Sequence, residues 1–374
     1  MPVSRGRARL YRHIRSAHLE RALLMPPATI IYGDTRYDYD EHLATQLDLV
    51  RAKGIRAAWY LIRHRVAVLE INEPLVLGSA RSSAVVVLAL RLLGRLRPPR
   101  TEFVAYAIEN LDPRQLPRPL DPKGRLARWL DLLLAGYLWR RLDRIVFGTE
   151  AAQALYATTL SQTAAPHSTV IEALPRAADD ADPAAKDPRQ VVFLGAFLER
   201  KGFSLLVEAW PLVLREQPEA KLALIGLGRL QQAAERLAAV EPSVQLHVDP
   251  PRRLIRSVLQ RSQVLVLASQ RQPQWREQIG LPIVEGLSYG CTVVTTTETG
   301  LASWLQQQGH VVIRPGSSAF ELADAVLTAL RRPVDAGDVL ASLPVEDGRL
   351  AADAWLFTSS TSAADSRAGV SAGA

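Results

Sequence analysis

From residue 28 onward, short runs rich in β-branched residues alternate with longer amphipathic stretches, and this alternation limits the fold more than any other feature. A strand is expected over 28–33, then an amphipathic helix over 41–53 closed by Gly54. Strands follow at 55–62 and 66–71, a helix at 80–93, a strand at 102–108, a long helix at 125–142 and a strand at 144–147. Strands separated by helices imply a parallel sheet with helices on both faces. Residues 175–190, polar and carrying three prolines, break the pattern. It restarts with strands at 191–194, 221–225, 244–248 and 264–267, alternating with helices at 203–216, 230–239 and 253–261. The fold class expected is α/β, with two facing Rossmann-like domains and ligands held in a crevice at the strands' carboxyl ends. The domains are residues 1–175 and 190–345, joined by a linker at 176–189. Residues 346–374 supply a last helix over 349–357 and a Ser/Ala-rich tail read as flexible and, beyond Thr358, disordered.

The densest chemistry lies in Glu277-Gln278-Ile279-Gly280-Leu281-Pro282-Ile283-Val284-Glu285-Gly286. Two carboxylates, with seven residues between them, surround a Gly and a Pro at the start of an apolar helix. Pro tolerates the first helical position because its missing N–H would have no partner there. The free N–H groups of the first turn and the positive end of the helix dipole form a seat for phosphate oxygens. Two Glu at this spacing also occur as ordinary first-turn acids. The strand-like run 264–269 before the string and 290–295 after it make the longer pattern more specific.

That longer pattern resembles the donor-binding half of the retaining glycosyltransferases of family 4, the glycogen synthase-like group that shares the GT-B fold. Their motif runs roughly E-G-F-G-L-P-x-x-E, followed by a G-x-P-V-V turn. Glu277, Gly280, Leu281, Pro282, Glu285, Gly290 and the pair Val293-Val294 fall on it. The resemblance implies a nucleoside diphosphate sugar as donor co-substrate, with Glu277 bonding sugar hydroxyls and Glu285 ribose hydroxyls. It also implies retention of configuration, the leaving phosphate assisting the acceptor from the same face, with no metal and no other cofactor. A relative that binds a nucleotide sugar without turnover is the alternative.

The string 191–202, VVFLGAFLERKG, is the second donor contact. A strand ends in Gly195, and Lys201-Gly202 opens the next helix. The family resembles this as G-R-L-x-x-x-K-G, an Arg and a Lys clamping the diphosphate. Lys201 matches the lysine, whereas Ala196 stands in the arginine's place and Arg200 is the neighbouring candidate for the missing charge. A fixed ammonium and helix-terminal N–H groups stabilise charge growing on the leaving phosphate, which is what accelerates transfer. Glu277 and Lys201 are therefore the catalytic candidates, and Gly195, Arg200, Lys201, Gly280, Leu281, Pro282 and Glu285 the donor-binding ones.

The first half resembles the family only in architecture. Asp38-Tyr39-Asp40 matches a D-x-D metal motif in spelling, but it opens a helix, where acids are favoured; Asp38 is assigned to the acceptor pocket. Glu109 and Asn110 end a strand where many relatives carry a histidine, and both line the acceptor site or form an ordinary strand-end turn. None of the seven His falls there.

Composition adds bounds. The chain has 374 residues, 48% hydrophobic and 22% charged, with a single cysteine, Cys291, which fits a reducing cytoplasm. Its longest apolar run, 84–90, falls far short of the ~20 residues that span a bilayer. The net charge of +7 suits anionic partners. Arg5, Arg7, Arg9, Arg12 and Arg15, interleaved with Leu10, Ile14 and Ala17, are expected to form a basic helix. Such a helix either lies on an anionic membrane or packs one stripe on its own domain. No nucleic-acid motif accompanies the charge, so no nucleic-acid partner is expected.

Overall fold

The structure, a computed structural model, describes residues 6–36, 39–94, 100–117, 119, 121–160 and 165–358. The chain divides into two compact units.

The first unit holds a parallel sheet in the order β3-β2-β1-β4-β5-β6-β7. Its strands are β1 (Arg7–Ile14), β2 (Thr29–Thr35), β3 (Leu49–Arg51), β4 (Val68–Glu70), β5 (Glu102–Ala107), β6 (Arg144–Phe147) and β7 (His167–Val170). Its helices are α1 (Ser16–Leu24), α2 (Glu41–Ala44), α3 (Gly54–His64), α4 (Leu77–Gly94), α5 (Pro122–Trp139) and α6 (Glu150–Thr159). Leu61, Val86, Val87 and Leu138 from the helices bury one face of the sheet against Leu10, Leu69, Phe103 and Ile145. Ile14 and Ile30 close the opposite face with Leu19 and Ala22 of α1.

Three expectations fail here. The basic run after Gly6 is a strand, β1, inside the sheet and not a helix; Ala8 and Leu10, two apart, enter the core, and Arg9 between them is buried as well. Residues 55–62 form helix α3 instead of a strand. Ala57, Ala58 and Leu61 make one buried stripe, and the Ala pair has the highest helix propensity available. The helix expected over 41–53 stops at Ala44, because Leu49–Arg51 leaves it to pair with β2, Leu49 opposite Ile30. Arg5, and the tail beyond Thr358 read as disordered, lie outside the described residues.

The second unit repeats the design with β8 (Asp187–Leu194), β9 (Lys221–Ile225), β10 (Val244–His247), β11 (Ser262–Leu267), β12 (Thr292–Thr296) and β13 (Val311–Ile313). These pair in parallel in the order β10-β9-β8-β11-β12-β13. Helices α7 (Phe203–Glu216), α8 (Gln231–Val240), α9 (Arg252–Arg261), α10 (Leu281–Ser288), α11 (Ala302–Gln307), α12 (Ala319–Arg331) and α13 (Ala336–Ala341) connect and cover them. β11 is buried along its whole length, which explains its unbroken apolar run.

The last helix, α14 (Gly348–Phe357), returns to the first unit. Ala352, Leu356 and Phe357 pack on Val104 and Val146. Asp353, fully buried, accepts from Arg9 Nη2 of β1 at 2.8 and 2.9 Å, while Arg349 reaches Glu70 at the end of β4. Each buried charge meets an opposite one, as burial demands. Among the described residues no helix is long and apolar enough to cross a membrane.

Candidate functional site

β8 and β11 are neighbours in the second sheet, yet the chain leaves them in opposite directions, β8 toward β9 and β11 toward β12. Ligands of such sheets bind outside the carboxyl ends of strands at this reversal. β8 leads into Gly195, and β11 into Ala268 and Ser269. The start of α10 comes to the same place: a Cβ on Gly195 would lie 3.7 Å from Pro282 Cγ. Within α10, Ile283 and Val284 donate to the Gly280 carbonyl at 2.8 and 3.3 Å, and Pro282 has no N–H. The helix tip therefore offers the N–H of Leu281.

Gly226 packs on the loop after β8 so closely that a Cβ would sit 1.9 Å from the Gly195 carbonyl oxygen. Lys201 ends a short 3-10 turn, Glu199–Lys201, and Gly202 follows with φ +74. A Cβ on Gly202 would lie 2.0 Å from the Ala268 carbonyl oxygen. Both constraints, handedness and contact, call for glycine, and they fix Lys201 beside the end of β11. Lys201 Nζ accordingly meets Glu277 Oε2, and the Ser269 hydroxyl donates to that same oxygen at 2.9 Å. Glu277 is 8% exposed. Trp275 closes the group, its ring 4.4 Å beneath the Arg200 guanidinium and 5.2 Å from Lys201 Nζ.

Glu285 lies on α10 and pairs with Arg252 Nη1 at 3.1 Å. Both side chains are substantially solvated, so the pair is weak and readily exchanged for another partner. Glu298, just after β12 and 2% exposed, receives Arg276 at 3.0 Å and Arg271 at 3.5 Å. This cluster was not anticipated. The two arginines of the 270–276 loop were its one signal in the sequence.

In the first unit a cavity of about 500 Å³ opens beside the carboxyl ends of β1 and β2, where the chain order again reverses between β1 and β4. Arg12, His13, Asp34, Lys53, Asn72 and Arg81 line it. Lys53 pairs with Asp34 at 2.6 Å and Arg81 with Asp131 at 2.6 Å. The Arg12 guanidinium rests on Gly78 in the first turn of α4, where a Cβ would lie 1.6 Å from Nη1. Among the described residues it has no acidic partner. His13 Nδ1 is buried with no hydrogen-bond partner. Burial and the cations Arg36 and Arg12 hold its pKa below the usual histidine range.

Residues 188–332 match the family model described as glycosyl transferases group 1. Solved structures share the fold over 95–97% of the chain. A glycosyltransferase from Rickettsia africae ESF-5 aligns with a TM-score of 0.63 at 13% identity, covering 95% of this chain and 100% of that one. Anabaena Alr3699/HepE in complex with UDP aligns with a TM-score of 0.62 at 14% identity, covering 97% and 100%. The chain has the GT-B fold. A UDP-forming trehalose-phosphate synthase from Burkholderia xenovorans is similar at a TM-score of 0.58 and 15% identity, covering 97% and 99%. No curated protein matches the sequence.

In this GT-B chain the second unit gathers most of the residues singled out from sequence. Lys201 and Glu277 touch, Arg200 shares Trp275 with Lys201, and Gly195 faces Pro282 of the Gly280–Leu281–Pro282 turn. Glu285 stands one turn further along α10. The first-unit candidates do not gather in this way. Asp38 lies outside the described residues. Glu109 folds back to accept from the N–H groups of Asn110 and Leu111 at 3.1 and 2.9 Å, and Asn110 is buried. Neither lines the cavity around Arg12. Next to them sits Glu73, absent from the sequence reading, which accepts from Ile108 N–H and Glu109 N–H at 3.1 and 3.0 Å. Burial first, then the Glu109 charge, pushes its pKa up to about 8. Among the described residues no three His, Cys, Asp or Glu side chains gather as a metal site would require.

Proposed function

We propose that this chain is a glycosyltransferase that moves a sugar from a nucleoside diphosphate sugar to an acceptor with retention of anomeric configuration. The observation that carries this reading is the meeting of Lys201, Glu277 and the tip of α10 beside Gly195. All of them lie in the segment that matches glycosyl transferases group 1.

An ammonium has three donors, and Glu277 takes one from Lys201. The other two, with Leu281 N–H and the α10 dipole, are suited to the donor diphosphate. They act on the charge that grows as the glycosidic bond breaks, and so lower the barrier rather than merely holding the donor. Glu277, anchored by Lys201 and Ser269, presents its second oxygen to sugar hydroxyls. Glu285 exchanges Arg252 for ribose hydroxyls. Arg200, braced on Trp275, supplies the cation that Ala196 lacks. The first unit's cavity takes the acceptor, and Arg12 favours one that bears negative charge. The reaction needs no metal, since these groups meet the developing charge.

Thermal shifts with UDP-, GDP- and ADP-sugars test donor binding, because a ligand held by the folded state alone raises the melting temperature. UDP-glucose comes first in the panel, since Anabaena HepE has been crystallised with it. The stabilising donor should then turn over in the presence of EDTA, and the anomeric configuration of the product, read by NMR, should match the donor's. Absence of a shift with every donor would refute the reading. Binding without turnover on any acceptor would reduce it to donor recognition.

A further inference from the structure

The outer surface of α3, α4 and α5 carries apolar side chains that the fold leaves uncovered. Trp59 on α3, Leu88 and Leu92 on α4, and Leu126, Trp129 and Leu133 on α5 are all exposed, Trp129 at 58% and Leu126 at 64%. The three helices form one layer: α4 packs on both neighbours, and Arg81 of α4 bonds Asp131 of α5. On α5 the exposed residues recur at three- and four-residue spacing, which aligns them along one stripe. A contiguous apolar surface of this kind marks an interaction site.

Charge on the same helices is one-sided. Across all three, Asp131 is the single carboxylate, and Arg81 already holds it. Arg56 and Arg63 flank Trp59, and Lys123 and Arg125 flank the α5 stripe; all four are exposed, and none has an acidic partner among the described residues. Arg63 lies over the Trp59 ring at 5.5 Å. Apolar stripes with Trp, flanked by long cationic side chains, suit the boundary between lipid headgroups and acyl chains. A second copy of the chain fits poorly: an isologous contact would set these arginines against their own kind with no carboxylate to answer them.

We propose that the α3–α4–α5 face docks this protein on an anionic lipid bilayer, Trp59, Leu126, Trp129 and Leu133 entering the interface while Arg56, Arg63, Lys123 and Arg125 meet headgroup phosphates. The expectation of membrane contact through a basic N-terminal helix thus moves to a different surface, as that segment is the buried strand β1. Arg81 and Val85 of α4 also line the first unit's cavity, so docking holds that cavity near the lipid surface.

Co-sedimentation of the full chain with vesicles tests this. Binding is expected to phosphatidylcholine mixed with phosphatidylglycerol, to weaken with added salt, and to be at least about tenfold weaker on phosphatidylcholine alone. Trp129→Glu with Leu133→Glu should lower it about tenfold or more, while Phe320→Glu on the second unit should leave it unchanged. Circular dichroism checks that each variant is folded. Brominated acyl chains should quench wild-type tryptophan fluorescence, and quenching should drop in Trp129→Phe, a change that adds no charge. Three results would each overturn the proposal: no binding to anionic vesicles, equal binding by the double variant, or a dimer in solution that the double variant abolishes.

Discussion

Lys201 and Glu277 lie 76 positions apart in the chain and share one ion pair, with the Ser269 hydroxyl donating to the same carboxylate oxygen at 2.9 Å. The proposed donor site therefore has an internal brace between its cation and its acid. Lys201→Ala and Glu277→Ala should each lower turnover by about 10²–10³. Each also leaves a largely buried charge without its ion-pair partner, at a cost of about 3 kcal/mol. Combining Lys201→Met with Glu277→Leu should recover most of the stability and none of the turnover. Urea melts and donor turnover on the same set of variants read the two effects apart, and activity returning in the double variant would contradict the assignment.

The buried charges Arg9, Glu70, Arg349 and Asp353 clamp α14 onto the first unit. Asp353→Ala removes the carboxylate that Arg9 grips twice and leaves a guanidinium 1% exposed. A loss of about 3–5 kcal/mol is expected. Hydrogen exchange should accelerate in α14 before it does in β5 or β6, and a uniform change across the unit would argue against a local clamp.

Glu73 makes stability depend on pH between 4.5 and about 8. Its folded-state pKa of about 8 lies above the ordinary value of 4.5, so between those values the folded chain holds a proton the unfolded chain has lost. The resulting stabilisation is complete below pH 4.5 and fades as pH rises through 8, by about 1.4 kcal/mol per pH unit in between. Glu73→Gln should flatten that slope and raise the melting temperature at pH 9.

His310 acts on the acid side. Burial lowers its pKa to about 4, and its Nδ1 accepts from Val293 N–H at 3.2 Å. The unfolded chain takes up a proton near 6.5 that the folded chain refuses, so stability is present above 6.5 and declines as pH falls toward 4. His310→Asn keeps an acceptor without the titration, and its chemical denaturation midpoint should vary less over that interval.

Gly202→Ala adds a methyl group where the Ala268 carbonyl stands and forces alanine to adopt φ +74. Destabilisation of about 2–4 kcal/mol is expected. Because Gly202 sets the position of Lys201, donor-induced thermal shifts should shrink more than the lost stability alone would require.

The second unit was legible in detail. Helix α7 and strand β9 begin and end where periodicity places them, because buried parallel strands spell continuous apolar runs and covering helices spell one stripe. The first unit was less so. Residues 55–62 are apolar enough to pass for a strand, and only the sheet's demand for a cover shows why Ala57, Ala58 and Leu61 face inward on a helix.

Local order thus came from the amino-acid pattern itself: two β/α halves, a glycine-proline helix start, and a lysine after a strand-ending glycine. Tertiary structure alone decided which charges meet. The arginines of β1 read as a solvent-facing row because their partners are remote; Arg9 finds Asp353 across 344 positions. Lys201 finds Glu277 only once β8 and β11 lie side by side. Periodicity records how each segment divides water from core. The pairing of charges depends on distances that exist only after the chain has closed on itself.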